Sequence, residues 1–346
     1  MKNNFLHKLF HWEYWPSYTL YWPNVPFALY NALKAKSLTF ITAVNPGILN
    51  SGMGTESKFE TIKIIPSEYL AETIFHEANS SIKKTIDNFN KSTLEFPVIV
   101  KPDVGFRGLL VEKVNSEVEL IHFLKKYPVD ILIQEFLSEE NECGIFYYRY
   151  PNEEIGKITS ITLKEFSHVF GDGKSTIKEL IVKDKRAKLY LDIIKKNNQI
   201  DLDFVPEKNK KVNLSVIGNH SKGTKFINGN HLINSKLENS INILNSKIKG
   251  WFYGRLDIKF NSFEDLENGE FKILEINGIL AEPTHIYDSS KTNYYQAVKE
   301  INNHWKKLCK IAKINHDLYG VKYANRKEII KDLKALKKYT KTLSKL

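Results

Sequence analysis

Four polar side chains fall at alternate positions of two short stretches. Arg255 and Asp257 lie in YGRLDIKF, and Glu275 and Asn277 lie in FKILEIN. Alternate residues of an extended strand share a face. Each stretch therefore turns its two polar side chains one way, with Leu256, Ile258 and Phe260 or Leu274 and Ile276 behind them. A guanidinium, two carboxylates and a carboxamide would then share one surface. Hard oxygen donors of this kind suit Mg²⁺, which takes one or two carboxylates and completes its shell with water and substrate phosphate. Arg255 beside them would neutralise charge on a transferring phosphoryl group. Taken alone, the same residues also describe a half-solvated hairpin with cross-strand ion pairs.

The elements that must position these groups can be read outward from them. Asn268-Gly269 between the two stretches predicts a hairpin turn, and a helix over Leu237–Ile248 leads into it. Upstream, Phe96–Lys101 (FPVIVK) predicts a buried strand ending at Pro102. The loop Gly105-Phe106-Arg107-Gly108 and a second strand, Leu109–Val114, follow. Glycines between two strands let backbone amides approach a phosphate, and Lys101 adds a point charge beside them. A helix over Ser116–Lys126 precedes a strand over Asp130–Leu137, which ends in Gln134-Glu135-Phe136-Leu137. Glu142 follows, then strands over Gly144–Tyr150 and Ile158–Phe166, the latter carrying Lys164. Gly173-Lys174-Ser175 is not a Walker A loop, because His168 stands where that loop needs glycine. Thr176 and Glu179 instead predict a capping box opening a helix. The stretch VNLSVIGNHSKGT, 212–224, pairs a strand with a polar loop.

The N-terminal third is less ordered in its signals. Residues 14–33 carry no charge and are crowded with Trp and Tyr, yet Pro16, Pro23 and Pro26 interrupt them. Packing on the protein, lying at a membrane interface and spanning a bilayer all stay open, with Trp12, Trp15 and Trp22 as interfacial anchors in the second case. Ser37–Val44 predicts a β-branched strand. It leads into a loop with Gly52 and Gly54, where Glu56, Ser57 and Lys58 could hold a small substrate. Thr73–His76 predicts another strand and Ser80–Phe89 a helix. Beyond Lys291 two or three helices end in a basic run.

Composition bounds the class. The 346 residues are 42% hydrophobic, 12% aromatic and 26% charged, as in a globular protein with a sizeable core. The net charge of +11 comes from dispersed lysines. It accords with an anionic nucleotide substrate as well as with a membrane surface, and no aromatic RNA-binding signature accompanies it, so nucleic acid is not expected. Cys143 and Cys309 make no disulfide framework, which points to a reducing cytoplasm. A peripheral position at the inner face of the membrane is the variant in which the N-terminus is interfacial.

The order of these parts resembles the ATP-grasp fold: strand-Lys101-Pro with a glycine loop, the QEFL stretch, Glu142, Lys164, Arg255-x-Asp257 and Glu275-x-Asn277. Within it the chain is similar to carboxylate–amine ligases of the D-alanine–D-alanine ligase type. VFGDGKSTIKELI and GNHSKGT also resemble the cyanophycin synthetase and fused glutathione synthetase domains. AVNPGILNSGMGTESK looks like bacterial ATP-grasp proteins of unassigned substrate. The resemblance covers roughly 96–288 and implies an α/β protein in four parts. These are an aromatic segment 1–36, an N-terminal α/β domain 37–93, an ATP-grasp domain 94–290 and a basic helical tail 291–346. Within the ATP-grasp domain, a small antiparallel lid would cover about 94–166 and a larger metal-bearing subdomain about 167–290.

The resemblance also implies roles and cofactors. ATP and two Mg²⁺ ions, for which Mn²⁺ could substitute, would be bound. Lys101 and Lys164 would contact the ATP phosphates, and the loop with Gly105, Arg107 and Gly108 would close over them. Gln134, Glu135, Phe136 and Leu137 would hold adenine, and Glu142 the ribose. Asp257, Glu275 and Asn277 would bind the metals, and Arg255 would steady the transferring phosphate. Asn219, His220, Ser221, Gly278 and Glu282 are substrate candidates. Two departures stand out: bulky Phe106 and Arg107 in the glycine loop, and GILAEPTHIYD after Asn277 in place of a proline-glycine pattern, which argues against D-alanine. The expected activity joins a small-molecule acid to an amine through an acyl phosphate. An ATP-grasp enzyme with a non-amine acceptor, and a membrane-docked nucleotide-binding module, are the competing readings.

Overall fold

Short apolar runs with β-branched residues build the strands, β1 (Thr73–His76), β2 (Val98–Pro102), β3 (Glu112–Val114), β4 (Ile131–Glu135), β5 (Asn141–Tyr148) and β6 (Lys157–Glu165). They continue with β7 (His168–Phe170), β8 (Lys211–Asn213), β9 (Lys225–Asn228), β10 (Tyr253–Phe260) and β11 (Lys272–Asn277). The computed structural model describes residues 11–105, 108–197, 200–215 and 218–343. The strands form three antiparallel sheets, ordered β1-β4-β2-β3, β11-β10-β5-β6-β9 and β7-β8. This is the mixed α/β architecture expected from the sequence.

The four-stranded sheet buries one face under the helices Ile82–Lys91 and Glu117–Lys126. Val98, Val100, Ile131 and Ile133 meet Phe89, Leu120, Phe123 and Leu124 there. Ser116 caps the second helix by accepting a hydrogen bond from the Glu119 amide. The five-stranded sheet is covered on one face by the helix Ser235–Lys247, through Leu237, Ile241 and Leu244 against Ile145, Leu256 and Ile258. Its other face is only half covered. At the Phe146 and Tyr253 end, the long helix Tyr294–Tyr319 packs on it through Leu308 and Ile311. At the Asp257 end that face is left open to a cleft. The small β7-β8 sheet forms its own apolar cluster with the helix Ile177–Lys183, whose Thr176–Glu179 capping box is present as expected.

Several expectations need correction. Ser37–Val44 is not a strand: Phe40–Ala43 is a 3-10 helix. The carbonyls of Ala43 and Val44 accept from the Asn315 side chain at 2.8 and 3.0 Å, so they have no ladder to join. Segment 37–93 is not a separate α/β domain, since its one strand, β1, pairs with β4. β5 and β6, expected in the small antiparallel part, pair within the five-stranded sheet and not with β2, β3 and β4. Finally, Asn268-Gly269 is not a hairpin turn. Phe263–Asn268 is a helix opened by a Ser262–Asp265 capping box, and Gly269 ends it at φ 85°. The second lid strand is also shorter than expected and starts only at Glu112.

The aromatic N-terminus is a series of short helical turns leading to the helix Val25–Lys34. Leu20 is buried against Ile286, Ala297 and Ile301, Trp12 stacks on Tyr287, and Tyr21 stacks on Trp305. Packing thus accounts for Trp12 and, through Tyr294, for Trp15. Trp22 is 66% exposed. Among the described residues no helix is long and apolar enough to cross a membrane.

Candidate active site

Strand register brings the four alternating residues together. Arg255 lies opposite Asn277 and Asp257 opposite Glu275, on one face of β10 and β11. On the other side of β10, Asp257 faces Gly144, and Gly144 faces Thr162 on β6, two residues from Lys164. Gly144 is what makes room: a Cβ there would lie 2.9 Å from the Arg255 side chain and 3.3 Å from the Asp257 carboxylate. The face therefore collects Glu142, Lys164, Arg255, Asp257, Glu275 and Asn277 from four neighbouring strands.

Asp257 is the hub. Its Oδ1 accepts from Lys164 Nζ at 3.0 Å and Arg255 Nε at 3.1 Å. Its Oδ2 accepts from Arg255 Nη2 at 3.0 Å and Asn277 Nδ2 at 3.2 Å. Lys164 also donates to Glu142 Oε1 at 2.6 Å. Burial alone would raise the Asp257 pKa, but Arg255 and Lys164 outweigh it and hold the carboxyl well below the usual range. Burial likewise opposes charge on Lys164, and Asp257 and Glu142 overcome it and raise its pKa. Both groups stay ionised in a site almost closed to water, where charges act strongly on one another.

Lys101 arrives from the other sheet. It donates to Gln134 Oε1 at 2.8 Å and reaches the Leu274 carbonyl of β11 at 3.4 Å. Burial pulls its pKa down to about 8, with Glu275 opposing the shift. Lys58, from the loop 52–58, donates to the Gly105 carbonyl and lies 3.8 Å from Glu275 Oε1. Glu56 in the same loop is raised above the usual carboxyl range by burial. That loop is anchored by backbone contact: the Ile279 amide donates to the Ser51 carbonyl, and a Cβ on Gly278 would lie 2.0 Å from that oxygen.

All of these groups line one cleft of about 1610 Å³ between the two sheets. It also contains Gly105, Gly108, and the Glu135–Leu137 stretch, along with the substrate candidates Asn219, His220, Gly278 and Glu282. Arg107 and the side chain of Ser221 lie outside the described residues, as does Phe106. Two assigned groups point differently from their expected roles. The Glu135 carboxylate accepts from the Glu72 amide at 3.2 Å, and the Glu135 amide donates to the Glu72 carbonyl at 2.8 Å. Glu142 faces Lys164 inside the site.

At the far end of the cleft, the contacts made by the N-terminal segment were invisible in the sequence. Glu282 accepts from the hydroxyls of Tyr21 and Tyr287, and its backbone carbonyl accepts from Arg255 Nη1 at 3.4 Å. Glu13 accepts from Ser289 Oγ at 2.8 Å and lies 3.6 Å from Arg186 Nη1 and 3.5 Å from His220 Nε2. Tyr21 and Glu13 come from the uncharged or sparsely charged aromatic run, hundreds of residues from their partners. No local pattern signals such pairings.

The donor set fits a divalent cation. Asp257 and Glu275 are adjacent carboxylates, and Glu275 is the more open at 34% side-chain exposure. Asn277 now turns its nitrogen to Asp257, and exchanging the two ends of the amide would present its oxygen. Among the described residues no group of three or more His, Cys, Asp and Glu could hold a metal by itself.

No family model and no curated protein matches the sequence. Among solved structures the chain is similar to a D-alanine–D-alanine ligase from Bacillus anthracis, at 15% identity over 77% of this chain and 71% of that one, with a TM-score of 0.43. It is similar to a D-Ala:D-Ser ligase from Enterococcus faecalis at 11% identity, over 73% and 62% of the two chains, TM-score 0.43. A bifunctional glutathione synthetase from Pasteurella multocida matches at 16% identity, over 72% and 35%, TM-score 0.37. These likenesses are distant, and the functional reading rests on the side chains described above.

Proposed function

We propose that the chain is an ATP-dependent ligase that joins a carboxylic acid to an amine through an acyl phosphate. The observation that carries the reading is the convergence of Lys101 from one sheet with Lys164, Arg255, Asp257, Glu275 and Asn277 from the other, across one cleft. Three cations around two carboxylates and a carboxamide suit a polyphosphate with its counter-ions. A bland surface hairpin would not bury Asp257 between Lys164 and Arg255.

The chemistry follows from the weakness of a carboxylate as an acyl donor. One carboxylate oxygen attacks the γ-phosphorus of ATP, the bond to the bridging oxygen breaks, and ADP leaves. The amine nitrogen then attacks the acyl carbon, loses a proton, and inorganic phosphate departs with the oxygen it shares with the acid. Lys101 and Lys164 would position the phosphates, and Arg255 would stabilise charge on the group in flight. A divalent cation held by Asp257, Glu275 and Asn277 would supply further charge neutralisation at the phosphoryl oxygens. The Glu135–Leu137 backbone would bind the adenine edge. Small-molecule acid and amine substrates would enter at the Glu282 and His220 end.

Hydroxylamine tests this directly, because it intercepts an acyl phosphate without a specific amine pocket. With ATP, Mg²⁺ and a panel of acids, the full chain should yield a hydroxamate and ADP. AMP in place of ADP would indicate adenylation. ATP binding with neither hydroxamate nor acid-stimulated ADP release across the panel would leave a nucleotide-binding module.

A further inference from the structure

Beside the cleft lies a second cavity, of about 380 Å³, walled almost entirely by carbon. Val25, Ala28 and Ala32 of the helix Val25–Lys34 form one wall, and Ile301, Trp305 and Leu308 of the long C-terminal helix form the other. Well-packed cores hold few voids larger than a water molecule. An apolar space of this size suits an apolar ligand, and ligand pockets start at roughly 300 Å³.

His304 lines the cavity at 1% exposure, with its Nε2 3.2 Å from Glu300 Oε1. Burial holds the ring below its usual pKa. The mouth points to an occupant. Leu29, Leu38 and Leu280 line it while 52%, 58% and 60% exposed, an apolar rim open to solvent.

The cavity and the cleft share a wall. Leu280 and Ala281 line both, and the next residue, Glu282, accepts from Arg255 through its carbonyl. Leu280 and Ala281 are thus the partition between the apolar space and the Arg255 end of the cleft. We infer that the acid used by this ligase carries an apolar chain, which lies in this cavity while its carboxylate crosses the Leu280–Ala281 rim to Arg255. The inference rests on the ligase reading and adds its substrate class. At about 30 Å³ per water-sized group, the cavity holds a chain of roughly a dozen heavy atoms.

The test has two arms on the full-length chain. In the first, without ATP, decanoate should displace a fluorescent dansyl-undecanoate probe, and decylamine should compete less well. Ala28→Trp, which fills the wall without touching the cleft, should weaken displacement at least tenfold and leave ATP binding unchanged. No displacement, an Ala28→Trp variant that binds as well as wild type, or better competition by decylamine would overturn the inference. In the second arm, hydroxamate formation is measured for straight-chain acids from acetate to dodecanoate. The kcat/KM should rise at least tenfold from butanoate to decanoate and lose that gain in Ala28→Trp. Hydroxamate from short acids with no gain from length would sink the apolar-chain inference and leave the ligase standing. Cavity-dependent displacement with no hydroxamate at any length would sink the ligase reading and with it the assignment of the chain to a ligase substrate.

Discussion

Asp257 accepts four hydrogen bonds from three neighbours, so the chemistry and the stability of the site meet in one carboxylate. Asp257→Asn removes the charge that Lys164 and Arg255 share. Breaking a buried pair by removing one partner costs about 3–5 kcal/mol, which a denaturant midpoint would register. Turnover should fall on the order of 10²–10³-fold, the usual loss when one preorganised electrostatic group is removed. Wild-type turnover in this variant would remove Asp257 from the mechanism. Lys101→Ala should weaken ATP at least tenfold by titration calorimetry, since hydrogen bonds to charged groups contribute about 1.5–3 kcal/mol. Alternation in the sequence was enough to place Arg255, Asp257, Glu275 and Asn277 on one face, because a strand leaves two faces to choose from. The Tyr21 hydroxyl on Glu282 was not legible, because a contact 261 residues apart leaves no periodicity behind.

At the scale of elements, the strands were legible where both faces are buried and illegible where a partner decides. β2, β4, β5, β6 and β10 follow apolar runs that have few other uses. Ser37–Val44 has the same β-branched character, yet no strand edge meets it and Asn315 takes its carbonyls. The loop 52–58 depends on the close approach of Gly278 to Ser51 and Gly52. Gly278→Ala would force those backbones apart and should destabilise the protein by roughly 1–3 kcal/mol while displacing Lys58 from Glu275. An unchanged midpoint would show that the approach is relaxed. A third element carries a pH response. His285 accepts or donates a 2.7 Å hydrogen bond with Ser160 and is held at about pKa 4 by burial, near His304, Glu300 and Asp288. Its folded pKa lies below the usual 6.5, so as pH falls the unfolded chain binds the proton first. Stability is therefore full above about pH 6.5 and is lost as pH falls towards 4, by roughly 3 kcal/mol from this group. Melting temperatures from pH 7 to 4.5 should show a fall that His285→Gln flattens; an equally steep fall in the variant would assign the loss elsewhere.

Over the whole molecule, the segment 13–17 closes one side of the cleft, and the turns that follow it dock on the long C-terminal helix. Leu20 sits in a cluster with Ile286, Ala297 and Ile301, and Leu20→Ala should cost about 2–5 kcal/mol by leaving a cavity there. A loss below 1 kcal/mol would mean that the N-terminal turns are only loosely docked. The composition of that segment was legible and its destination was not, because uncharged aromatics suit a protein surface and a membrane interface equally. The central claim concerns the whole cleft, and isotope transfer tests it most directly. The acid that gives a hydroxamate is labelled with ¹⁸O in its carboxyl group and turned over with ATP, Mg²⁺ and an amine. An acyl phosphate predicts one ¹⁸O in each inorganic phosphate released, with unlabelled ADP. Label in AMP, or phosphate free of label during acid-dependent turnover, would contradict the account.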